Sequence, residues 1–279
     1  MESIPTVFVS DMLQTSFWVY SFPITISHLS SVFGSTALDY LSNYHSCDLE
    51  ILDGELANLQ RRSGYDGEVL TDLTVSSKYC FLTNVSYEVT EGKEVPKVNK
   101  ALFKSLASVK TPIGLDLWSS VDEAWIEQFI LLKPLSSIQI GFQGDESSLK
   151  LLQALLEAKE LRELALRFPQ EEEINLACEI LQQPQFLLLT LMEYSLRDEE
   201  KIMNLWNENK ERLSGKSVRW EGYRKMHTVT FRKVPRTIKE YLRYESQDCV
   251  VQYINDNATL EMSDAHFVSG VSWSSVRFL

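Results

Sequence analysis

The sequence predicts an α/β chain in which short strands and helices alternate as stacked units, with a helical segment ahead of them and a β-rich segment behind. Three observations carry that expectation. The lines LSSIQI from Leu135, LRELAL from Leu161 and FLLLTL from Phe186 each read apolar-x-x-apolar-x-apolar, and they start 26 and 25 residues apart. Their last two apolar residues (Ile138 and Ile140, Leu164 and Leu166, Leu189 and Leu191) alternate, so each pair shares one face of a short strand. Between them run helical stripes. A strand-helix repeat of this length is the pattern of a solenoid of stacked units. The second observation is the texture of residues 1–46, where apolar residues recur at helical spacing. The third is residues 215–279, where short β-prone runs are separated by turn residues.

In the first segment, Pro5 suits the first turn of a helix with Ser3 near its cap. Phe8, Met12 and Leu13 then share a face. Pro23 interrupts, Ile26, Leu29, Val32 and Phe33 form a second stripe, and Gly34 ends or kinks it. Ala37, Leu38 and Leu41 open a third short helix. Residues 47–214 form the repeat array. Leu49 and Ile51 mark its first strand. LTDLTV from Leu70 and LTNVSY from Leu82 repeat the signature only 12 residues apart, too close for a helix between them, so one is a hairpin strand or a coincidence. A loop over 90–100 leads to a helix with Leu102, Phe103 and Leu106. Leu115 and Leu117 give the next strand, and Asp122 opens a helix carrying Trp125, Ile126 and Phe129.

In the central units, Asp145 and Ser147 cap a stripe of Leu151, Leu152 and Leu155. Glu171, Glu172 and Glu173 open the next helix, where their charge favours an N-terminus. A helix over 198–213 with Ile202, Leu205, Trp206 and Leu213 inward closes the array, and Gly215 stops it. Strand-like pairs follow at Val218 and Trp220, Val229 and Phe231, Val250 and Val251, and Leu260 and Met262. The β-prone run from Phe267 to Phe278 completes a β-rich cap over 215–279.

Composition narrows the function classes. No apolar run reaches the roughly 18 residues that cross a bilayer, and Glu2 without a basic n-region argues against a secretory signal. The four cysteines form no CxxC pair, so reduced thiols in a cytoplasmic or nuclear protein are expected. A net charge of -12 speaks against nucleic acid and acidic membranes as partners. That charge is uneven: residues 216–243 hold nine basic residues against two acidic ones. Interleaved with Trp220, Tyr223 and Phe231, they are a candidate surface for nucleic acid or an acidic protein tail, with Arg232, Lys233 and Arg236 assigned to an acidic partner. The alternative is a solvated outer face of strands, where basic side chains discourage edge pairing. No GxSxG, P-loop, GxGxxG or HExxH motif occurs, and the four histidines are scattered. No catalytic residue, metal ligand or cofactor is therefore assigned.

Two resemblances add expectations. The Lxx(L/I)x(L/I) lines resemble the opening signature of leucine-rich repeats. Where that family places Asn or Cys after the strand, this chain has Gln143, Pro169 and Tyr194, which implies an irregular solenoid and not a regular horseshoe; the alternative is an ordinary α/β domain with irregular βα units. The N-terminal segment, with Ile4-Pro5, Phe8, Met12 and then Leu29, Val32 and Phe33 in LSSVFG, resembles a divergent F-box of the expanded nematode type. That resemblance implies docking of Ile4, Pro5, Phe8, Met12, Leu29, Val32 and Phe33 to a Skp-type adaptor of a cullin-RING ubiquitin ligase, with a protein substrate chosen by the repeat region. The alternative is that residues 1–46 cap the array of a scaffold or inhibitor with no ubiquitin link.

Overall fold

The computed structural model describes residues 34–36, 38–39, 44–63, 79–106, 112–132, 135–193, 195–226, 231–236, 238 and 240–279. The chain divides into two compact units, residues 1–51 with 56–85, and residues 52–55 with 86–279.

In the first unit the described strands are β1 (Tyr44–Leu52), β2 (Glu55–Ser63) and β3 (Tyr79–Glu88), the last ending in the second unit, with β1 central between β2 and β3. Ile51 and Val85 are fully buried. Arg62 reaches Asp48 at 3.0 Å, and the Thr83 hydroxyl donates to the same carboxylate at 3.0 Å. The turn from β1 to β2 is Asp53-Gly54, both with positive φ (53° and 82°). That is the backbone a tight hairpin of right-twisted strands demands, and Asp-Gly supplies it at little steric cost.

The second unit is a nine-strand sheet with helices laid along it. Its strands are β4 (Ile113–Leu117), β5 (Leu135–Ile140), β6 (Glu163–Arg167), β7 (Leu188–Met192), β8 (Ser217–Glu221), β9 (Arg232–Lys233), β10 (Tyr241–Glu245), β11 (Cys249–Ile254) and β12 (Trp273–Phe278). Their order is β4-β5-β6-β7-β8-β12-β11-β10-β9. The strands from β4 to β8 are parallel, and those from β8 through β12, β11 and β10 to β9 pair antiparallel. The helices are α1 (Lys100–Leu106), α2 (Glu123–Ile130), α3 (Glu146–Ala158), α4 (Glu171–Leu181), α5 (Leu196–Glu208), α6 (Lys210–Leu213) and α7 (Asp264–Ser269). The crossovers β4-α2-β5-α3-β6-α4-β7-α5-α6-β8 join neighbouring strands in order, and their common hand puts these helices on one face.

Register explains the core. Leu115, Ile138, Leu164, Leu189, Val218, Val276 and Val251 lie in one cross-strand row, and Leu117, Ile140, Leu166, Leu191, Trp220, Ser274, Tyr253 and Leu242 in another. All are buried. Leu151, Leu152 and Leu155 of α3 and Ile174, Ala177, Ile180 and Leu181 of α4 close over the rows. At the β4 end, Trp125 and Phe129 of α2 stack with Tyr87 and Phe103, ring centroids 4.6 to 6.0 Å apart. The Trp125 indole N–H donates to the Pro96 carbonyl at 2.7 Å.

This architecture corrects the expected fold class. Among the described residues a leucine-rich-repeat-like solenoid with a separate β-rich cap is not what the chain forms. It is a mixed α/β protein with twelve strands among the described residues. The reason is visible at β8, which bonds parallel to β7 on one side and antiparallel to β12 on the other. The segment expected as a cap therefore continues the sheet instead of packing across its end. Strand structure also begins at Tyr44, ahead of the expected boundary after residue 46.

Local corrections follow the same logic. Leu260 and Met262 lie in a turn, not a strand, with Leu260 half exposed. Phe267 is buried from the short helix α7, which Ser263 caps. The single helix expected over 198–213 breaks at Asn209, where φ is -131° and ψ 40°. The F-box-like residues Ile4, Pro5, Phe8, Met12, Leu29, Val32 and Phe33, and the LTDLTV line, lie outside the described residues.

Candidate functional site

Open parallel sheets with crossover helices usually bind ligands beyond the carboxyl ends of their strands, where helix N-termini point. Here a hollow of about 430 Å³ lies at that edge, between the ends of β6 and β7 and the starts of α4 and α5. Its polar groups are already engaged. The buried Glu173 carboxylate accepts the Gln170 amide at 2.8 Å, and Asp198 accepts the Ser195 amide at 2.8 Å. These acidic caps put negative charge where an anionic ligand would sit. Arg167 pairs with Glu193 at 2.7 Å and Arg197 with Glu171 at 3.1 Å. The third cation of the lining, Lys201, donates to the side-chain carbonyl of Asn175 and has no carboxylate partner among the described residues.

The face of the sheet opposite the helices differs. Among the described residues no helix covers it, and its side chains form rows one residue out of step with the core. One row runs Asp116, Gln139, Ala165, Thr190, Arg219, Ser275, Gln252, Arg243. The next runs Ser137, Glu163, Leu188, Ser217, Arg277, Val250, Glu245, Arg232. Where β7, β8, β12, β11 and β10 lie side by side, these rows line a second hollow of about 420 Å³. Arg219, Arg243 and Arg277 project into it, with Leu188 and Val250 as its apolar floor and no Asp or Glu side chain in its lining.

The charges at its rim have specific partners. The Arg219 Nε is buried without a hydrogen-bond acceptor, and its guanidinium lies 5.8 Å from the centre of the Trp273 ring. Glu163 is the carboxylate whose charge Arg219 feels. Burial raises the Glu163 pKa above its ordinary value and the Arg219 charge opposes that rise. Arg243 pairs with Glu245 at 2.7 Å, a carboxylate also held by Arg232 at 2.9 Å. Those arginines and, first of all, the Arg232 hydrogen bond hold the Glu245 pKa below its ordinary value.

The structure sorts the basic stretch residue by residue. Lys216 is buried, and its ammonium donates to the carbonyls of Leu181, at 2.7 Å, and Gln183, closing the end of α4. Desolvation lowers its pKa. Arg224 faces Glu199 at 3.9 Å. The three residues expected to meet an acidic partner are engaged within the chain. Arg232 takes Glu245, Lys233 takes Asp264, and Arg236 donates to the carbonyls of Thr259, Leu260 and Met262 at 2.5 to 2.9 Å while lying over Phe267. Arg236 thus staples the 259–262 turn. Of the stretch, Arg219 and Arg243 reach the bare-face hollow, and Arg277, 34 positions beyond Arg243 in the chain, joins them. Its signal in the sequence was only the alternation of Trp273, Ser275 and Arg277 against Ser274, Val276 and Phe278.

Among the described residues, no group of three His, Cys, Asp or Glu side chains is placed to hold a metal ion. No described helix is long and apolar enough to cross a membrane. The chain matches no family model, no curated protein and no solved structure.

Proposed function

We propose that the protein is a non-catalytic interaction module that captures a protein partner on the bare face of its nine-strand sheet. The observation that carries this reading is the asymmetry of the sheet. One face is closed by helices, while the other presents five adjacent strands with a hollow that sets three arginines around an apolar floor. A rigid strand surface of this kind fixes side chains on a defined grid, as a recognition surface requires. The strand-end hollow instead mixes Arg197 and Lys201 with Glu171, Glu193 and Asp198 in its own lining.

Attachment to a Skp-type ubiquitin-ligase adaptor is the part of the proposal that rests on sequence alone, through Ile4, Pro5, Phe8, Met12, Leu29, Val32 and Phe33. The alternative is the same module as a scaffold or inhibitor without a ubiquitin link. Photo-crosslinking tests the first part. A photoreactive residue at Ala165 on the bare face should give partner adducts, and one at Gln153 on the exposed back of α3 should not. Adducts from Gln153 alone, or from neither, overturn it. Adaptor recovery by the full chain, lost in Pro5→Ala/Phe8→Ala, supports the ligase link. A wild-type chain that never recovers the adaptor removes it.

A further inference from the structure

We infer that the bare-face hollow built by Arg219, Arg243 and Arg277 is a docking site for an extended acidic peptide segment of the partner. The inference rests on the interaction reading above and names what that surface recognises.

Charge complementarity chooses the occupant. The chain carries a net charge of -12, so a hollow lined by three arginines and no acidic side chain runs against the field of the molecule. The guanidinium is suited to the task. It stays charged, presents a planar fork that matches a carboxylate in two places, and is weakly hydrated. The Arg277 side chain is exposed and makes no hydrogen bond or ion pair among the described residues. Arg219 has a buried Nε without an acceptor. The exposed Arg277 fork is therefore open to a carboxylate, while the closed-off Nε leaves Arg219 to act through its terminal guanidinium N–H groups and its charge.

Spacing favours a chain over a single small anion. Arg277 stands diagonal to Arg219 across the β8–β12 pair, a separation of about 7–8 Å between Cα atoms. Arg243 lies three strands from Arg219, or about 14 Å at about 4.8 Å per strand. One carboxylate or phosphate bridges the first pair and cannot reach the third residue. An extended peptide places every second side chain about 7 Å apart, so acidic residues two positions apart step from the Arg219–Arg277 pair towards Arg243. Around them Ser217 and Gln252 offer neutral donors, and Leu188 and Val250 a dry floor. Nucleic acid fits less well. The basic side chains on this face are interrupted by Glu163 and by Glu245, which takes up Arg232 beyond it, and do not form a continuous track for a phosphate backbone.

The test measures fluorescence anisotropy of a labelled oligoglutamate peptide with the full-length protein. Binding should be saturable and weaken steeply with salt, because exposed charges are screened beyond about 8 Å at physiological ionic strength. Arg277→Glu and Arg219→Glu should each lower affinity at least tenfold, and Arg277→Gln by less. Lys150→Glu on the exposed back of α3 makes the same change in net charge and should leave affinity within twofold. Circular dichroism confirms folding of each variant, and Arg277→Gln, which adds no acidic charge, keeps the question answerable if a reversal unfolds.

Equal loss in Lys150→Glu, wild-type affinity in Arg277→Glu, or no peptide binding overturns the proposal. Tighter binding of a single-stranded oligonucleotide of equal charge assigns the hollow to nucleic acid and overturns it too. Partner adducts from Ala165 that persist in Arg277→Glu would sink the acidic-segment inference while leaving the interaction reading intact. Absence of adducts in the wild-type chain would end both.

Discussion

The two faces of the nine-strand sheet are made by the same strands and differ by a single residue step. Leu164 and Leu166 point to the helices and are almost fully buried, whereas Glu163, Ala165 and Arg167 between them point the other way and remain half-buried. The same alternation continues in the antiparallel half, where Val218, Trp220, Val276 and Phe278 face the core and Ser217, Arg219, Ser275 and Arg277 do not. A period of two sorts stability onto one side and chemistry onto the other. One face is held by apolar rows that tolerate little change, and the other is a grid whose residues are free to be chosen for a partner.

Adjacent substitutions should expose that difference most strongly. Leu164→Ala removes a side chain that is 1% exposed and should cost about 2–5 kcal/mol by urea unfolding. Gln139→Ala, on the bare face of the neighbouring strand, should stay within about 0.5 kcal/mol. Similar losses at the two positions would erase the distinction between the faces.

A second variant probes the strand ends, where neither face applies. A Cβ on Gly144 would lie 2.0 Å from Glu173 Oε2, so Gly144→Ala must displace the carboxylate that accepts the Gln170 amide. A loss of about 1–3 kcal/mol follows, from overpacking and the broken cap together. In a Glu173→Ala background the same glycine change should cost much less, because the group it strikes is gone. Additive losses would show that the contact is not the cause.

The smallest effect tests the bare face by pH. The folded pKa of Glu163 is raised by burial above the ordinary glutamate value of 4.5, with Arg219 opposing. The folded chain therefore holds this proton to higher pH than the unfolded chain. The resulting stability is fully present below pH 4.5 and is lost as pH rises through the raised folded value. Glu163→Gln should flatten this fall in unfolding free energy above pH 4.5 and leave the rest of the profile in place. It also relieves Arg219 of its neighbouring carboxylate and should tighten oligoglutamate binding. An unchanged pH profile would mean that Glu163 is as solvated folded as unfolded.

How far the sequence could be read follows the same division. The apolar lines at 135, 161 and 186 predicted β5, β6 and β7 and their buried pairs, because a parallel run bordered by helices writes its period into one stretch of chain. The antiparallel half was less legible. Tyr241–Glu245 reads as part of a charge run, since only Leu242 of its five residues is buried. Leu260 and Met262 alternate like a strand, yet their backbone carbonyls are taken by Arg236, a contact that no local pattern announces. The Asp53-Gly54 pair did carry a hairpin signal that the repeat lines obscured.

Charge was the hardest property to place. Composition located a basic stretch at 216–243, but not which guanidinium turns inward. Lys216 closes a helix end, Arg236 holds a turn, and Arg219 and Arg243 alone reach the hollow. Arg277 joins them because β12 lies beside β8, an adjacency set by pairing and not by distance along the chain.

The account's central claim is that an acidic partner meets the bare face and not the strand-end hollow. Chemical-shift mapping on the isotopically labelled full-length protein, titrated with oligoglutamate, separates the two. The predicted result is a set of shifts at Arg219, Gln252, Ser275 and Arg277, with residues 168–171 and 195–201 unmoved. Shifts centred on Phe168, Glu171, Arg197 and Lys201, with the arginine row silent, would contradict it.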